Sequence, residues 1–157
     1  MFATDYSSPL GEMLIVSDGK SICGAWFYGQ KHFPPYDDLT IKDDLPVFSK
    51  VKKWFDDYFN NLNPEIDFEL NPSGSEFRLR VWRILREIPY GETVTYGEIA
   101  SEISPMMSAQ AVGGAVGHNP ISIIVPCHRV VGANGKLTGY AGGIERKMAL
   151  LKLESGD

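Results

Sequence analysis

The sequence predicts an α+β fold in two parts, and three observations carry that expectation. Apolar strings of strand length flank Asp18-Gly19, a pair that favours a tight hairpin turn. From Pro46 to Asn60 the apolar positions switch to helical spacing. After Asn71 the helical segments are short and bounded by capping residues, Gly or Pro.

Taken in order, Phe2 to Tyr6 forms a first strand, and Pro9 and Gly11 punctuate the turn after it. Met13 to Val16 and Ile22 to Tyr28 complete a small antiparallel sheet. Pro34-Pro35 and the acidic stretch through Asp44 form an exposed loop. The helix from Pro46 to Asn60 turns Val47, Val51, Trp54, Phe55, Tyr58 and Phe59 to one broad face, with Trp54 as core. Ile66 to Leu70 supplies one more strand. Asn71-Pro-Ser-Gly-Ser75 is the joint, dividing the chain into an N-terminal α/β part, residues 1–70, and a C-terminal part, residues 75–157.

Beyond the joint, Phe77, Val81, Trp82, Ile84 and Leu85 mark a helix that ends before Pro89. Arg78, Arg80, Arg83 and Arg86 fall mainly on its other faces, where solvation is the default and phosphate contact the alternative. Thr95 and Glu98 have capping-box spacing, so a short helix runs through Glu102 until Ser104-Pro105 breaks it. Ser108 then caps a second helix, Ala109 to Val116, with Gly117 at its end. Two short helices joined by a tight turn make a helix-turn-helix. The second carries almost no side-chain bulk: Ala109, Ala111, Gly113, Gly114 and Ala115, at a propensity cost near ~1 kcal/mol per glycine. Such a helix either packs closely on a neighbour or enters a minor groove only ~6 Å wide.

The net charge of −5 argues superficially against a nucleic-acid partner. Residues 1–74, however, hold 6 Lys/Arg against 12 Asp/Glu, whereas residues 75–157 hold 9 against 8. The acidic load lies in the first part. No apolar run approaches the ~20 residues of a membrane helix. The start lacks the pattern of a signal peptide. With only Cys23 and Cys127 and no Cys-x-x-Cys pair, a reducing cytoplasmic setting is expected. Cys23 reads as core. Cys23, His32, His118 and His128 lack zinc-site spacing, so neither metal nor cofactor is expected.

Residues 123–131, Ile-Ile-Val-Pro-Cys-His-Arg-Val-Val, carry the chemistry. Ile123 to Val125 reads as a buried strand ended by Pro126, which delivers Cys127 with His128 and Arg129 directly behind it. Nearby cations favour the thiolate, the nucleophilic form, so Cys127 is expected to titrate below a free thiol.

Pro126-Cys-His-Arg-Val130 closely resembles the active-site motif of the O6-alkylguanine-DNA alkyltransferases, also called methylated-DNA–protein-cysteine methyltransferases. The resemblance extends upstream through Val81-Trp82, Ile88-Pro-Tyr-Gly91, Thr95-Tyr-Gly97, Ala111-Val-Gly-Gly-Ala115 and Asn119-Pro120. Downstream it takes in Gly139-Tyr-Ala-Gly-Gly143, Lys147 and Leu150-Leu151. It is dense over roughly residues 75–154 and loose in the first seventy.

The resemblance implies a ribonuclease H-like N-terminal part and a winged-helix-like C-terminal part with an active-site loop. It implies a single, irreversible transfer of an alkyl group from O6-alkylguanine, and by extension O4-alkylthymine, to Cys127. The partner is double-stranded alkylated DNA, entered from the minor groove by the small-residue helix of a monomer, with the target base flipped out. Tyr96 rotates the target phosphate and donates toward guanine N3. Gln110 stands where the family commonly has an arginine finger. Ala111, Gly113 and Gly114 face the groove, the Cys127 and Val130 carbonyls and the Ala141 N–H hold the base, and Tyr140 walls the pocket. His128, oriented by Glu154, acts on Cys127 through a water. Asn119 and Arg129 belong to the set as structural members of the motif. Two rival classes are a lesion-binding protein without the nucleophile, against which Cys127 argues, and a cysteine hydrolase, which leaves the small-residue helix unexplained.

Overall fold

The computed structural model describes residues 1–34 and 37–156. The expected hairpins form: β1 (Phe2–Ser8), β2 (Gly11–Ser17) and β3 (Ile22–Phe27) pair antiparallel, with Tyr6 opposite Met13 and Met13 opposite Phe27. The acidic loop departs from expectation in one place. There β4 (Thr40–Ile41) pairs parallel with β1, so the sheet order is β3-β2-β1-β4 and the sheet is not purely antiparallel. Pro35, part of that expected loop, lies outside the described residues.

Alternation along the strands splits their side chains between the two faces. Met13, Ile15, Ala25 and Phe27 join the main core, and Ala3, Leu14, Val16 and Trp26 form a smaller cluster covered by Phe33 and Leu39. Because both faces are covered, β2 reads as an unbroken apolar run.

Helix α1 (Pro46–Phe59) starts on a proline, whose missing N–H costs nothing in the first turn. It buries Val47, Phe48, Val51, Trp54, Phe55 and Tyr58. Its Phe55 stacks on Tyr6 of β1 at 5.1 Å, and the Tyr6 hydroxyl donates to Asp56 at 2.7 Å.

The strand expected over Ile66 to Leu70 does not form. Only Leu70 bridges to Ile22, because the free edge of β3 is shared. From Ala25 onward that edge belongs to the second part of the chain: Ala25 N–H donates to Pro120 at 2.8 Å and Ser122 N–H to Ala25 at 2.9 Å.

Helices α2 (Glu76–Arg86), α3 (Tyr96–Ile103) and α4 (Ala109–Gly117) are each capped by the hydroxyl at their N-terminus. Ser75 accepts from the Arg78 N–H at 3.2 Å, Thr95 from Glu98 at 3.0 Å and Ser108 from Ala111 at 3.0 Å. Each such cap contributes roughly 1 kcal/mol. The Trp82 indole donates to the Ala115 carbonyl at 2.8 Å and holds α4 on α2. Val81, Trp82, Leu85, Ile99 and Val112 lie in the same core as the sheet and α1, so one core spans the joint.

The last helix, α5 (Ile144–Ser155), buries Lys147, Leu150 and Glu154. Met148, one position past Lys147, is 53% exposed. The i, i+3, i+7 row that faces the core contains two ionisable side chains. Among the described residues no helix is long and apolar enough to cross a membrane.

Candidate active site

The strand expected over Ile123 to Val125 is replaced by two three-residue turns. Ile124 N–H donates to Ser122 across Ile123, which has φ 72°, and Cys127 N–H donates to Val125 across Pro126, with φ −82° and ψ 64°. A β-branched residue at positive φ is strained, and such strain collects at functional sites. Asn119 holds the turn closed: its Oδ1 accepts from Ile121 N–H at 3.0 Å and its Nδ2 donates to Val125 at 2.8 Å. Immediately after the cysteine, β6 (Val130–Val131) pairs parallel with β5 (Val94–Thr95). That short pair ties the cysteine turn to the first residue of α3, Tyr96.

Behind Cys127 lies a buried ionic network. Glu154 accepts from His128 Nε2 at 2.6 Å, from Arg129 at 2.7 and 3.1 Å and from the Tyr58 hydroxyl at 2.6 Å. Burial works to raise the Glu154 carboxyl, but these donors outweigh it and hold it at about 2. An ionised carboxylate only accepts, so His128 Nε2 carries the proton. His128 is fully buried, and burial pulls its pKa down despite Glu154, leaving a neutral ring. Its Nδ1, without a partner, is then an accepting nitrogen.

The expectation of a preformed thiolate is corrected here. Cys127 is 5% exposed, and burial raises its thiol above the ordinary value. Neither cation foreseen beside it serves it: His128 is neutral, and Arg129 is held by Glu154 and by the Ile88 carbonyl at 2.7 Å. The groups that lower the thiol against this burial are Asn119, Lys147 and Tyr140.

Lys147 is the functional candidate the sequence reading missed. It is fully buried, and its Nζ has no hydrogen-bond partner and lies 6.0 Å from the Tyr96 ring centroid. Burial lowers its pKa, and the charge of Cys127 acts to raise it.

In front of Cys127 opens a cavity of about 560 Å³, bounded by α3, α4 and the loop 138–141. Tyr96, Gln110, Gly113, Gly114, Tyr140 and Ala141 line it with the cysteine. The Tyr96 ring lies over Gly113, and its hydroxyl oxygen accepts from Thr138 at 3.1 Å, which leaves the Tyr96 proton free to donate. Ala111 is exposed on α4 outside this lining. Asn119, His128, Arg129, Val130 and Glu154 are not on the lining. Asn119 and Arg129 therefore hold the turn and the buried carboxylate and do not face a ligand. The Cys127 carbonyl already accepts from the Val130 N–H.

The loop itself is fixed from the first part of the chain. Arg146 donates to Leu10 at 2.9 Å and to Gly142 at 3.0 Å, with its guanidinium 4.3 Å from the Phe27 ring centroid. Gly142 has no room for a side chain, since a Cβ there would meet the Tyr140 ring at 2.7 Å.

Residues 76–156 match the family model described as "6-O-methylguanine DNA methyltransferase, DNA binding domain", and residues 1–72 match its "ribonuclease-like domain". The chain belongs to the 6-O-methylguanine DNA methyltransferase family. A methylated-DNA–protein-cysteine methyltransferase of Mycolicibacterium paratuberculosis is 62% identical over 147 residues, covering 94% of this chain and 88% of that protein. One from Haemophilus influenzae is 46% identical over 155 residues, covering 98% and 86%. The crystal structure of Mycobacterium tuberculosis OGT in complex with DNA superposes with a TM-score of 0.91 at 44% identity, covering 99% of this chain and 94% of that one. The two matched regions of this family member meet at the Ser73–Ser75 joint, where Ser75 caps α2.

Proposed function

We propose that this chain repairs DNA by moving the alkyl group of O6-alkylguanine onto Cys127 Sγ, once per molecule, acting as a monomer on duplex DNA. The observation that carries this reading is a buried thiol, followed by a buried imidazole whose Nδ1 has no partner, at a cavity walled by a helix almost without side chains. Relatives named as methylated-DNA–protein-cysteine methyltransferases support it.

The thiol proton passes to His128 Nδ1, through a water because adjacent side chains on a tight 3₁₀ turn diverge. The thiolate attacks the alkyl carbon, a C–S bond forms, and the C–O6 bond breaks with its electron pair left on guanine. The proton that left sulfur ends on guanine N1, which the alkylated base lacks. Charge developing on sulfur is stabilised by Lys147, and charge on the departing base by donors from Tyr96 and the Ala141 N–H. The thioether has no route to hydrolysis among the described residues, so each molecule acts once.

An alkylated base inside a duplex must be extruded to reach a buried sulfur. The small exposed face of α4 suits a minor groove. Gln110, exposed at the second position of α4 and on the cavity lining, takes the place vacated by the base. A neutral amide hydrogen-bonds the orphaned cytosine but offers no charge beside phosphate. Gln110→Arg is therefore expected to speed duplex repair roughly tenfold, from ~1–3 kcal/mol of added contact, and leave reaction with free O6-benzylguanine unchanged. Equal duplex rates for Gln, Arg and Ala at position 110 would show that this residue is not the finger.

Incubation with excess methylated duplex followed by intact-mass measurement tests the function. A gain of one methyl group per chain, with no further turnover, is expected. Binding without mass gain would favour a lesion sensor, and multiple turnovers a hydrolase.

A further inference from the structure

Three basic side chains border the same cavity with a fourth, Arg78, near enough for its charge to act on one of them, and the transfer chemistry uses none of the four. Lys31 and His32 come from the loop after β3, Arg78 from the first turn of α2, and His118 from the C-terminal cap of α4. The His32 and His118 rings stack with centroids 3.8 Å apart and planes 30° from parallel. Lys31, His32 and His118 border the cavity beside Gln110 and Gly114. The loop is tied to the active-site loop and carries backbone strain. Its Lys31 N–H donates to the Ala141 carbonyl at 3.0 Å, and His32 adopts φ 61°, a left-handed conformation that costs a non-glycine residue about 1 kcal/mol or more.

Among the described residues, none of the four basic side chains pairs with a carboxylate. For Lys31 and His32 this is unusual, because they belong to residues 1–74, where Asp and Glu outnumber Lys and Arg 12 to 6. The groups that act on His32 are His118, Lys31 and Arg78, all of them cations or potential cations, and burial and their charge lower its pKa. Like charges held together with no counter-ion call for an anion. His118 Nδ1 bonds the Gly114 carbonyl at 2.7 Å, so that nitrogen carries the proton and Nε2 is the ring's accepting nitrogen. Gly114 lies on the exposed face of α4, which places the cluster where the backbone beside an occupied groove would pass.

We propose that Lys31, His32 and His118 form a proton-linked clamp for a DNA backbone phosphate, bringing the N-terminal part of the chain into the DNA interface. The clamp rests on the DNA-repair reading above. A phosphate arriving at the stacked imidazoles favours protonation of a ring that is neutral without it. The chain has three histidines, and His128 is buried against Glu154, so His32, stacked on His118, is the imidazole left to take up this proton.

The test is duplex binding measured against salt and pH for the wild type, Lys31→Ala, the His32→Gln/His118→Gln pair and His32→Arg. Wild-type affinity is expected to rise roughly three- to tenfold from pH about 7.5 to about 6. Lys31→Ala should weaken binding several-fold and lower the salt slope by about 1. The double glutamine variant should lose the pH dependence, and His32→Arg should bind at the higher pH as the wild type does at the lower. Reaction with free O6-benzylguanine, which has no phosphate, should stay at the wild-type rate in all of them. Unchanged affinity and salt slope in Lys31→Ala together with a retained pH dependence in the double variant would overturn the clamp. So would slowed reaction with the free base, which would place these residues in base binding. A wild type that binds duplex but transfers nothing would overturn the transferase reading alone, since the clamp is read from binding.

Discussion

Glu154→Ala is expected to lower folding stability by about 3–5 kcal/mol and to abolish measurable alkyl transfer. Removing the carboxylate leaves Arg129 buried at 9% exposure without its counter-ion, and deprives His128 and Tyr58 of their acceptor. The larger part of the effect is the uncompensated charge. Glu154→Gln, which keeps the shape but accepts fewer bonds and carries no charge, should fall between. The pH dependence has a definite sign. The Glu154 carboxyl is held at about 2 in the folded chain against an ordinary 4.5, so its contribution is fully present above about 4.5 and is lost as pH falls toward 2. Urea denaturation of the wild type and Glu154→Gln should therefore show a large stability gap at neutral pH that narrows below 4.5. A gap independent of pH would mean that the carboxylate does not hold the network.

Lys147→Met is expected to act in opposite directions on stability and on rate. An amine buried with no hydrogen-bond partner costs folding roughly 1–3 kcal/mol, and methionine fills a similar volume without a polar atom. Stability should therefore rise. The same variant should slow transfer to free O6-benzylguanine by about ten- to a hundredfold, because the thiolate then forms with no cation nearby. Charging of Lys147 and ionisation of Cys127 favour each other, so the residue is poised for the reacting state and unfavourable in the resting one. Chemical denaturation and single-turnover kinetics on the same preparation check both halves. Loss of stability and rate together would make Lys147 a merely structural residue.

Local chemistry explains which features were legible in the sequence. Asp18-Gly19, the three hydroxyl caps and the apolar row of α1 are short-range signals, and the elements they imply form where expected. Ile123 to Val125 misled because an apolar run that is buried on every side has no period, and a pair of tight turns braced by Asn119 cannot be told from a strand by burial. Ile66 to Leu70 alternates well enough for a strand, but the edge it needed is taken by residues fifty positions away, around Pro120 and Ile121.

At the site, adjacency in sequence was mistaken for adjacency in space. Arg129 follows the cysteine by two residues yet turns to Glu154, while Lys147, twenty positions on, is the cation that acts on sulfur. One signal was available. Lys147 shares the i, i+3, i+7 row with Leu150 and Glu154, and a lysine on the buried face of an amphipathic helix is out of place unless something there needs a charge.

We propose that the reactive pair rests as a neutral thiol and a neutral imidazole, and that the nucleophile forms only as alkyl transfer begins. Thiolate absorbance of Cys127 measured against pH, in a Cys23→Ser background so that a single sulfur is read, tests it most directly. No thiolate is expected at neutral pH, with an apparent thiol pKa above that of a free cysteine, about 8.5. A thiolate already present at pH 7 would contradict it and restore an ion pair as the resting state.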